Sequence, residues 1–214
     1  MNTYKFHIKH TVEIAYPVVI GQLGHIMMQV VDSVMVGKVG AAPLAASSLA
    51  GGLFFLIMVL GLGVSYAISP LVAMAHGANK TEECGVILRQ GVIVNVILSF
   101  LLTIMMYFGV DLIHYLGQPE DVTLLAISYL RILSYSILPF MMFQTFRQFS
   151  EGLTIMRPAM IIAIIANLVN AFVNWLLIFG NWGFPELGLD GAGWASFSSR
   201  VFMAFLMIWF YFCQ

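Results

Sequence analysis

Six long apolar stretches, separated by short polar or glycine- and proline-bearing breaks, set the plan of this chain. They cover residues 14–36, 44–75, 86–110, 122–146, 158–180 and 191–212. A helix needs about 20 apolar residues to cross a hydrocarbon core of roughly 30 Å, so each stretch predicts a membrane-spanning α-helix. Only a helix or a closed barrel satisfies its own backbone there. The breaks carry turn or charge chemistry: 37–40, 76–80 with Glu82 and Glu83, 117–121, 147–158 and 180–190. The second stretch is long and holds Gly51, Gly52, Gly61 and Gly63, which predicts tilt or close packing on its neighbours. The expected fold is an all-α integral membrane bundle of six transmembrane helices, a single membrane domain over residues 1–214.

Within the first stretch the polar positions repeat. Gln22, His25, Gln29 and Asp32 follow i, i+3, i+7, i+10, so on a helix they point the same way. A carboxylate at membrane depth is costly, and such groups face a bundle interior or a water-filled path. The stripe therefore predicts a polar path of Gln22, His25, Gln29 and, on the fifth span, Asn167, with Asp32 as its main titratable group.

Composition agrees with the pattern. Hydrophobic residues make up 61% of the chain and charged residues 9%, with mean hydropathy +0.95. Soluble domains carry about 25% charge, so this chain lacks the polar surface to be one. The net charge of −1 and the absence of a basic patch give no reason to expect a nucleic-acid partner. Lys5 and Lys9 precede the first stretch, but its length and the lack of a small-residue cleavage site make it an uncleaved first span rather than a signal peptide. Cys84 and Cys213 form no metal or redox motif.

Basic residues predict the orientation. Lys5, Lys9, Lys80, Arg89, Arg147 and Arg157 flank one side, and only Lys38 lies on the other. Both termini are expected in the cytoplasm. Trp175 and Trp182 then lie where an aromatic belt belongs, at the outer end of the fifth span.

This topology lets depths be compared. Asp32 is in the outer half of span one. Asn167, Asn170 and Asn174 share a face of span five at i, i+3, i+7, and Asn170 and Asn174 are also in its outer half. Span six runs inward, which puts Ser196 and Arg200 at the same level. Asp32, Asn170, Asn174 and Ser196 make a candidate cation- or proton-coupling site, since oxygen ligands suit a hard cation such as Na⁺ better than a soft metal. Structural readings stand beside this one. Asp32 could pair with Arg200, Arg131 or Lys38, the asparagines could be interhelical glue, and His25 could be a packing residue. Met27, Met28, Phe54, Phe55, Met141, Met142 and Phe143 are candidates for an adaptable apolar lining.

Several segments, in order and spacing, resemble a known family. These are 17–20 (Pro-Val-Val-Ile), 31–37 (Val-Asp-Ser-Val-Met-Val-Gly) and 44–48 (Leu-Ala-Ala-Ser-Ser). Next come Phe143-Gln144 to Arg147, Glu151-Gly152, 157–160 (Arg-Pro-Ala-Met) and Asn170 to Trp175. Last are 183–188 (Gly-Phe-Pro-Glu-Leu-Gly) and 191–196 (Gly-Ala-Gly-Trp-Ala-Ser). Together they resemble the N-terminal six-helix lobe of multidrug and toxic compound extrusion (MATE) transporters of the NorM-like kind. The resemblance implies a two-lobe antiporter of the bacterial inner membrane. It would export organic, often cationic amphipathic compounds by alternating access, driven by Na⁺ or H⁺, with no cofactor and no enzymatic reaction. By carry-over Asp32 matches the family's first-helix acid. Asn170 and Asn174 match fifth-helix positions that complete a cation site in some members, and Ser196 falls where some have a threonine. Asn174 is an acid in part of the family, so Na⁺ held here by Asp32, Asn170 and Asn174 would meet one carboxylate rather than two.

The sequence ends at Gln214 after one such lobe. The expected partners are therefore small organic substrates, membrane lipids, and either a missing C-terminal lobe or a parallel homodimer partner, as internal repeats in transporters allow. Two other readings remain open: a lipid-linked precursor flippase of the same superfamily, which needs a cationic cavity, and an inactive or structural half-transporter fragment. The orientation is directly testable. A cysteine introduced at Gln118 should react with a membrane-impermeant reagent from the outer side; labelling from the cytoplasmic side alone would invert the topology.

Overall fold

The computed structural model describes residues 2–213, with the backbone alone for residues 2–14 and for His25. Eight α-helices follow in order: α1 Asn2–Gly37, α2 Ala41–Tyr66, α3 Ile68–Gly77, α4 Thr81–Gly109, α5 Glu120–Tyr135, α6 Ile137–Gly152, α7 Arg157–Phe179 and α8 Gly188–Phe212. Two short 3-10 segments, Val110–Leu116 and Asn181–Gly183, extend α4 and α7. No strand occurs among the described residues. Five segments are long and apolar enough to cross a membrane by themselves, and α5 with α6 makes a sixth as a bent pair. The chain is a multi-pass membrane protein.

The breaks have local causes. α2 passes into α3 at Ala67, where the N–H turns from the i−4 to the i−3 carbonyl and bonds Val64 O at 3.2 Å. α5 and α6 meet at 46°. Pro139 has no N–H to give the Tyr135 carbonyl one turn back, and its ring crowds that carbonyl, so the helix bends there. The Ser136 hydroxyl at the bend donates instead to Leu133 O at 2.6 Å. α7 stops at Gly180, whose φ of +66° closes a left-handed cap on the Leu176 carbonyl.

The helices close a ring. α1 packs on α7 and more lightly on α2; α7 packs on α8; α8 packs on both α5 and α6; α5 and α6 lean on α2, α3 and α4. Larger apolar residues such as Val36, Phe54, Leu130, Met141 and Ile178 fill one core. A second, around Met28, Phe143, Met203 and Met207, joins α1, α6, α7 and α8. Some polar side chains inside the ring pair between helices. Ser65 Oγ donates to Asn95 Oδ1 at 3.3 Å and Asn95 Nδ2 to Thr145 Oγ1 at 2.7 Å, tying α2, α4 and α6 together. Nearer the 153–156 turn, Arg147 and Glu151 form a shielded ion pair at 2.8 Å. At the opposite end Trp175 and Trp182 lie edge to face with ring centroids 5.8 Å apart.

A close helix approach holds α8 against α7. A Cβ on Gly191 would lie 2.6 Å from Leu177 O and 3.0 Å from Ile178 N, both backbone atoms of α7. α8 can therefore touch α7 only because residue 191 has no side chain. Gly85, in α4, has no neighbouring atom within 4 Å of such a Cβ. Gly191→Ala should cost about 1–3 kcal/mol by overpacking and lower the melting temperature in detergent, whereas Gly85→Ala should be neutral or slightly stabilising. Equal melting temperatures for the two variants would contradict this packing.

Candidate functional site

Asp32 reaches the ring interior because α1 packs through Pro17, Gly21, Met28 and Val36, all buried, with Gly24 half-buried. This is a helical i, i+4, i+7, i+11 row, and Asp32 is one turn beyond Met28 on it. Gly24 keeps α1 low on α7, since a Cβ there would meet Asn167 Nδ2 at 3.0 Å, whereas one on Gly21 would make only ordinary contact with Arg147 Nη2 at 3.9 Å.

Three helices converge on the carboxylate. Asn174 of α7 donates from Nδ2 to Asp32 Oδ1, and Ser196 of α8 donates from Oγ to Asp32 Oδ2 at 3.3 Å. The same Asn174 amide donates to Asn170 Oδ1 at 3.1 Å, one turn along α7. Asn170 and Asn174 are fully buried. Two amide atoms at the centre, Asn174 Oδ1 and Asn170 Nδ2, make no hydrogen bond among the described residues. A buried amide oxygen left unpaired is an unsatisfied acceptor, and beside a carboxylate and a hydroxyl it completes an oxygen set of the kind a hard cation takes. The same cluster around one carboxyl can equally hold a proton.

Arg200 lies in the same interior without a direct ion pair to Asp32 among the described residues. Its Nη1 donates to Ser136 Oγ at 2.6 Å, and its guanidinium lies 4.7 Å from the Phe54 ring centroid and 5.1 Å from that of Phe140. Cation–π contact and one hydroxyl thus hold a charge in the apolar interior. Tyr129, buried on α5, is close enough to feel both Asp32 and Arg200. The sequence reading missed Tyr129 and Ser136. Their signal was present: Tyr129, Leu133, Ser136 and Phe140 follow i, i+4, i+7, i+11, a single inward face interrupted only by the bend.

The structure brings together Asp32, Asn170, Asn174 and Ser196, and leaves Gln22, Gln29 and Asn167 of the proposed polar path out of the cluster. Gln22 and Gln29 are exposed, because each is one residue, about 100° of helix rotation, from the packed positions Gly21 and Met28. The His25 side chain lies outside the described residues. Asn167 turns back on its own helix, donating to Ala163 O at 3.0 Å. Arg131 is not a partner of Asp32: it faces outward and pairs with Asp111 at 2.8 Å. Lys38 sits exposed in the turn after α1. The methionine and phenylalanine candidates do not line one cavity either. Met27 and Phe55 are exposed, Met28, Met141 and Phe143 are core, Phe54 stacks on Arg200, and Met142 faces a groove on the flank.

Comparison with known proteins follows the same geometry. Residues 17–176 match the MatE family model. The chain is 37% identical over 203 residues to a probable multidrug resistance protein NorM of Synechocystis sp., covering 92% of this chain and 44% of that one. It is 31% identical over 208 residues to the multidrug resistance protein NorM of Photobacterium profundum, covering 97% and 46%. The fold superposes with TM-score 0.87 and 23% identity on a multidrug resistance MATE family transporter of the MOP superfamily in an outward-facing conformation, covering 94% of this chain and 44% of that one. The chain thus spans less than half the length of these relatives, and its six-crossing bundle corresponds to one lobe of the two-lobe fold. Disulfide trapping checks the site itself. Asp32→Cys with Asn174→Cys should crosslink with a short reagent, while Asp32→Cys with outward-facing Phe172→Cys should not; equal yields would dismantle the cluster.

Proposed function

The chain belongs to the MatE family, and we propose that it forms the N-terminal lobe of a cation-coupled multidrug antiporter of the bacterial inner membrane. The observation that carries this reading is an interior carboxylate without an ion-pair partner among the described residues, Asp32, whose two oxygens are addressed from two other helices while, among those residues, the Asn174 amide oxygen stays unpaired. A structural carboxylate would be expected to take a full set of protein donors. One left beside an orphaned acceptor suits a group that exchanges a small cation.

In this reading Na⁺ or H⁺ arrives from the outer side, where both termini are taken to be cytoplasmic. Na⁺ would be held by the Asp32 carboxylate, the Asn174 and Asn170 amide oxygens and the Ser196 hydroxyl. A proton would sit on the Asp32 carboxyl and remove its charge. Either event changes the charge balance between Asp32 and Arg200. That is the differential interaction an ion needs in order to bias one conformation over another. Organic, often cationic compounds then leave by alternating access between this lobe, residues 1–214, and a second lobe from a longer polypeptide or a parallel second copy. Exposed Gln22 and Gln29 on α1 support that pairing, because amides facing lipid are costly. A flippase for lipid-linked precursors would want a cationic cavity. Arg200 is already engaged by Ser136, Phe54 and Phe140, and Arg131 lies on the outer surface.

The test separates coupling from folding. Asp32→Asn should insert normally and lose coupled export to background, both in the chain alone and in the chain joined to the C-terminal half of a relative. Wild-type export should follow outer Na⁺ at fixed pH if Na⁺ is the coupling ion, or outer acidity without Na⁺ if H⁺ is. Full export by a correctly inserted Asp32→Asn protein would overturn the assignment.

A further inference from the structure

The bend between α5 and α6 opens a second feature, away from Asp32. Between the bent span and α8 runs an apolar groove of about 660 Å³, lined by residues that include Tyr135, Leu138, Pro139, Trp194, Val201 and Ile208. On α8 the lining residues Trp194, Phe197, Val201, Ala204 and Ile208 form one helical stripe. From Trp194 to Ile208 the stripe covers about 21 Å of helix axis, more than one leaflet's share, about 15 Å, of the hydrocarbon core. α1 packs on α7 and α2 and meets α8 through the buried Ser196 face, not through the stripe of Trp194, Phe197 and Val201 that lines the groove, and it does not pack on α5 or α6. The groove therefore lies on a flank other than the one that exposes Gln22 and Gln29.

Its rim at Tyr135 is charged. Arg131 is one turn from Tyr135 on the exposed face of α5 and pairs with Asp111, with 44% and 62% of the two side chains exposed. Tyr107 joins the two features. Its ring lies 5.9 Å from the Arg131 guanidinium and 6.1 Å from the Tyr135 ring. An exposed ion pair on a membrane flank has bonding capacity to spare. Only one of the five guanidinium N–H donors is committed to Asp111, and Asp111 keeps a second carboxylate oxygen. The rim thus presents one cation and one anion side by side, at the end of an apolar channel the length of an acyl chain.

We propose that this flank binds a zwitterionic phospholipid with a primary-amine headgroup. Its phosphate sits on Arg131, its ammonium on Asp111, and one acyl chain lies in the groove between α5/α6 and α8. A phosphate takes the planar guanidinium fork well. A primary ammonium can donate hydrogen bonds to Asp111, and a quaternary one cannot. The charge pair selects a zwitterion over an anionic lipid, because Asp111 repels a headgroup of net negative charge.

Native mass spectrometry of the full chain, titrated with phosphatidylethanolamine, phosphatidylcholine or phosphatidylglycerol of matched chains, tests this. The expected result is one retained phosphatidylethanolamine with an apparent affinity about tenfold above that of phosphatidylcholine, the scale of one charge-assisted hydrogen bond. Asp111→Asn should erase that preference, and Arg131→Gln should weaken retention of both zwitterionic lipids alike. Val201→Trp, which fills the groove, should remove the retained lipid of every class. Circular dichroism and melting temperature, read on the same samples, separate these losses from misfolding. Equal retention of the three lipids, a preference for phosphatidylglycerol, a phosphatidylethanolamine preference that survives Asp111→Asn, or undiminished retention in Arg131→Gln, each in folded protein, would overturn the proposal.

Discussion

A carboxylate inside a membrane bundle must be satisfied by the bundle, and the arrangement of this chain follows from how Asp32 meets that demand. Asp32 is largely withdrawn from the surface, and an isolated charge away from bulk water is very costly. The donors come instead from α7 and α8: the Asn174 amide on one oxygen and the Ser196 hydroxyl on the other. Both must be held within hydrogen-bond reach of a third helix. Gly191 allows α8 to lie against the α7 backbone, while Gly24 lets α1 settle against Asn167. Small residues at these contacts are therefore part of the electrostatics. Without them the helices would separate and the carboxylate would lose its partners.

The bend at Ser136 and Pro139 has two consequences, one on each side of the span. Inward, it frees the Ser136 hydroxyl to accept from Arg200 while donating to Leu133 O. That fixes the guanidinium between Phe54 and Phe140, near Asp32 but not on it. A direct Asp32–Arg200 pair would neutralise both groups and leave little for an ion to change. Outward, the same bend swings α6 away from the line of α5 and leaves the apolar groove along α8. One missing backbone donor thus shapes both the interior charge balance and the membrane-facing surface.

The sequence made the helical plan readable, because a membrane span is encoded by bulk hydropathy and length alone. The meeting of Asp32 with Asn170, Asn174 and Ser196 was readable for a second reason. Once the crossings alternate in direction, depth along each span is a count of residues, and polar groups at one depth seek each other in a medium without water. Azimuth was harder to read. Gln22 and Gln29 share a stripe with Asp32, yet they lie about 100° from the packed positions Gly21 and Met28 and so fall on the exposed edge of α1. Periodicity says which residues share a face; it does not say which face meets a neighbour when the opposite side also holds large apolar residues. Arg131 failed as a partner for the same reason. Its charge was visible, but Leu124, Arg131 and Tyr135 all face outward. The Met and Phe candidates carried no positional signal, since such residues suit lipid, core and cavity alike.

This ambiguity of azimuth also explains why the bundle has two unlike flanks. On a soluble protein, exposed polar residues need no account and exposed apolar ones do; in a bilayer the inference reverses. Leu56, Ile97, Leu101, Phe108 and Leu168, each more than half exposed, are at home against lipid. The α1 edge, with Gln22 and Gln29 open, is the surface in need of a polar neighbour. The α5/α6–α8 groove is apolar along its length and charged only at its rim, as a lipid is. The proposed lobe pairing and the proposed lipid site therefore follow from one rule applied at two places on the ring: the chemistry of a membrane-facing surface matches the chemistry of what covers it. On that rule the polar edge and the greasy groove cannot share an occupant, and the order of the helices around the ring keeps them on different flanks.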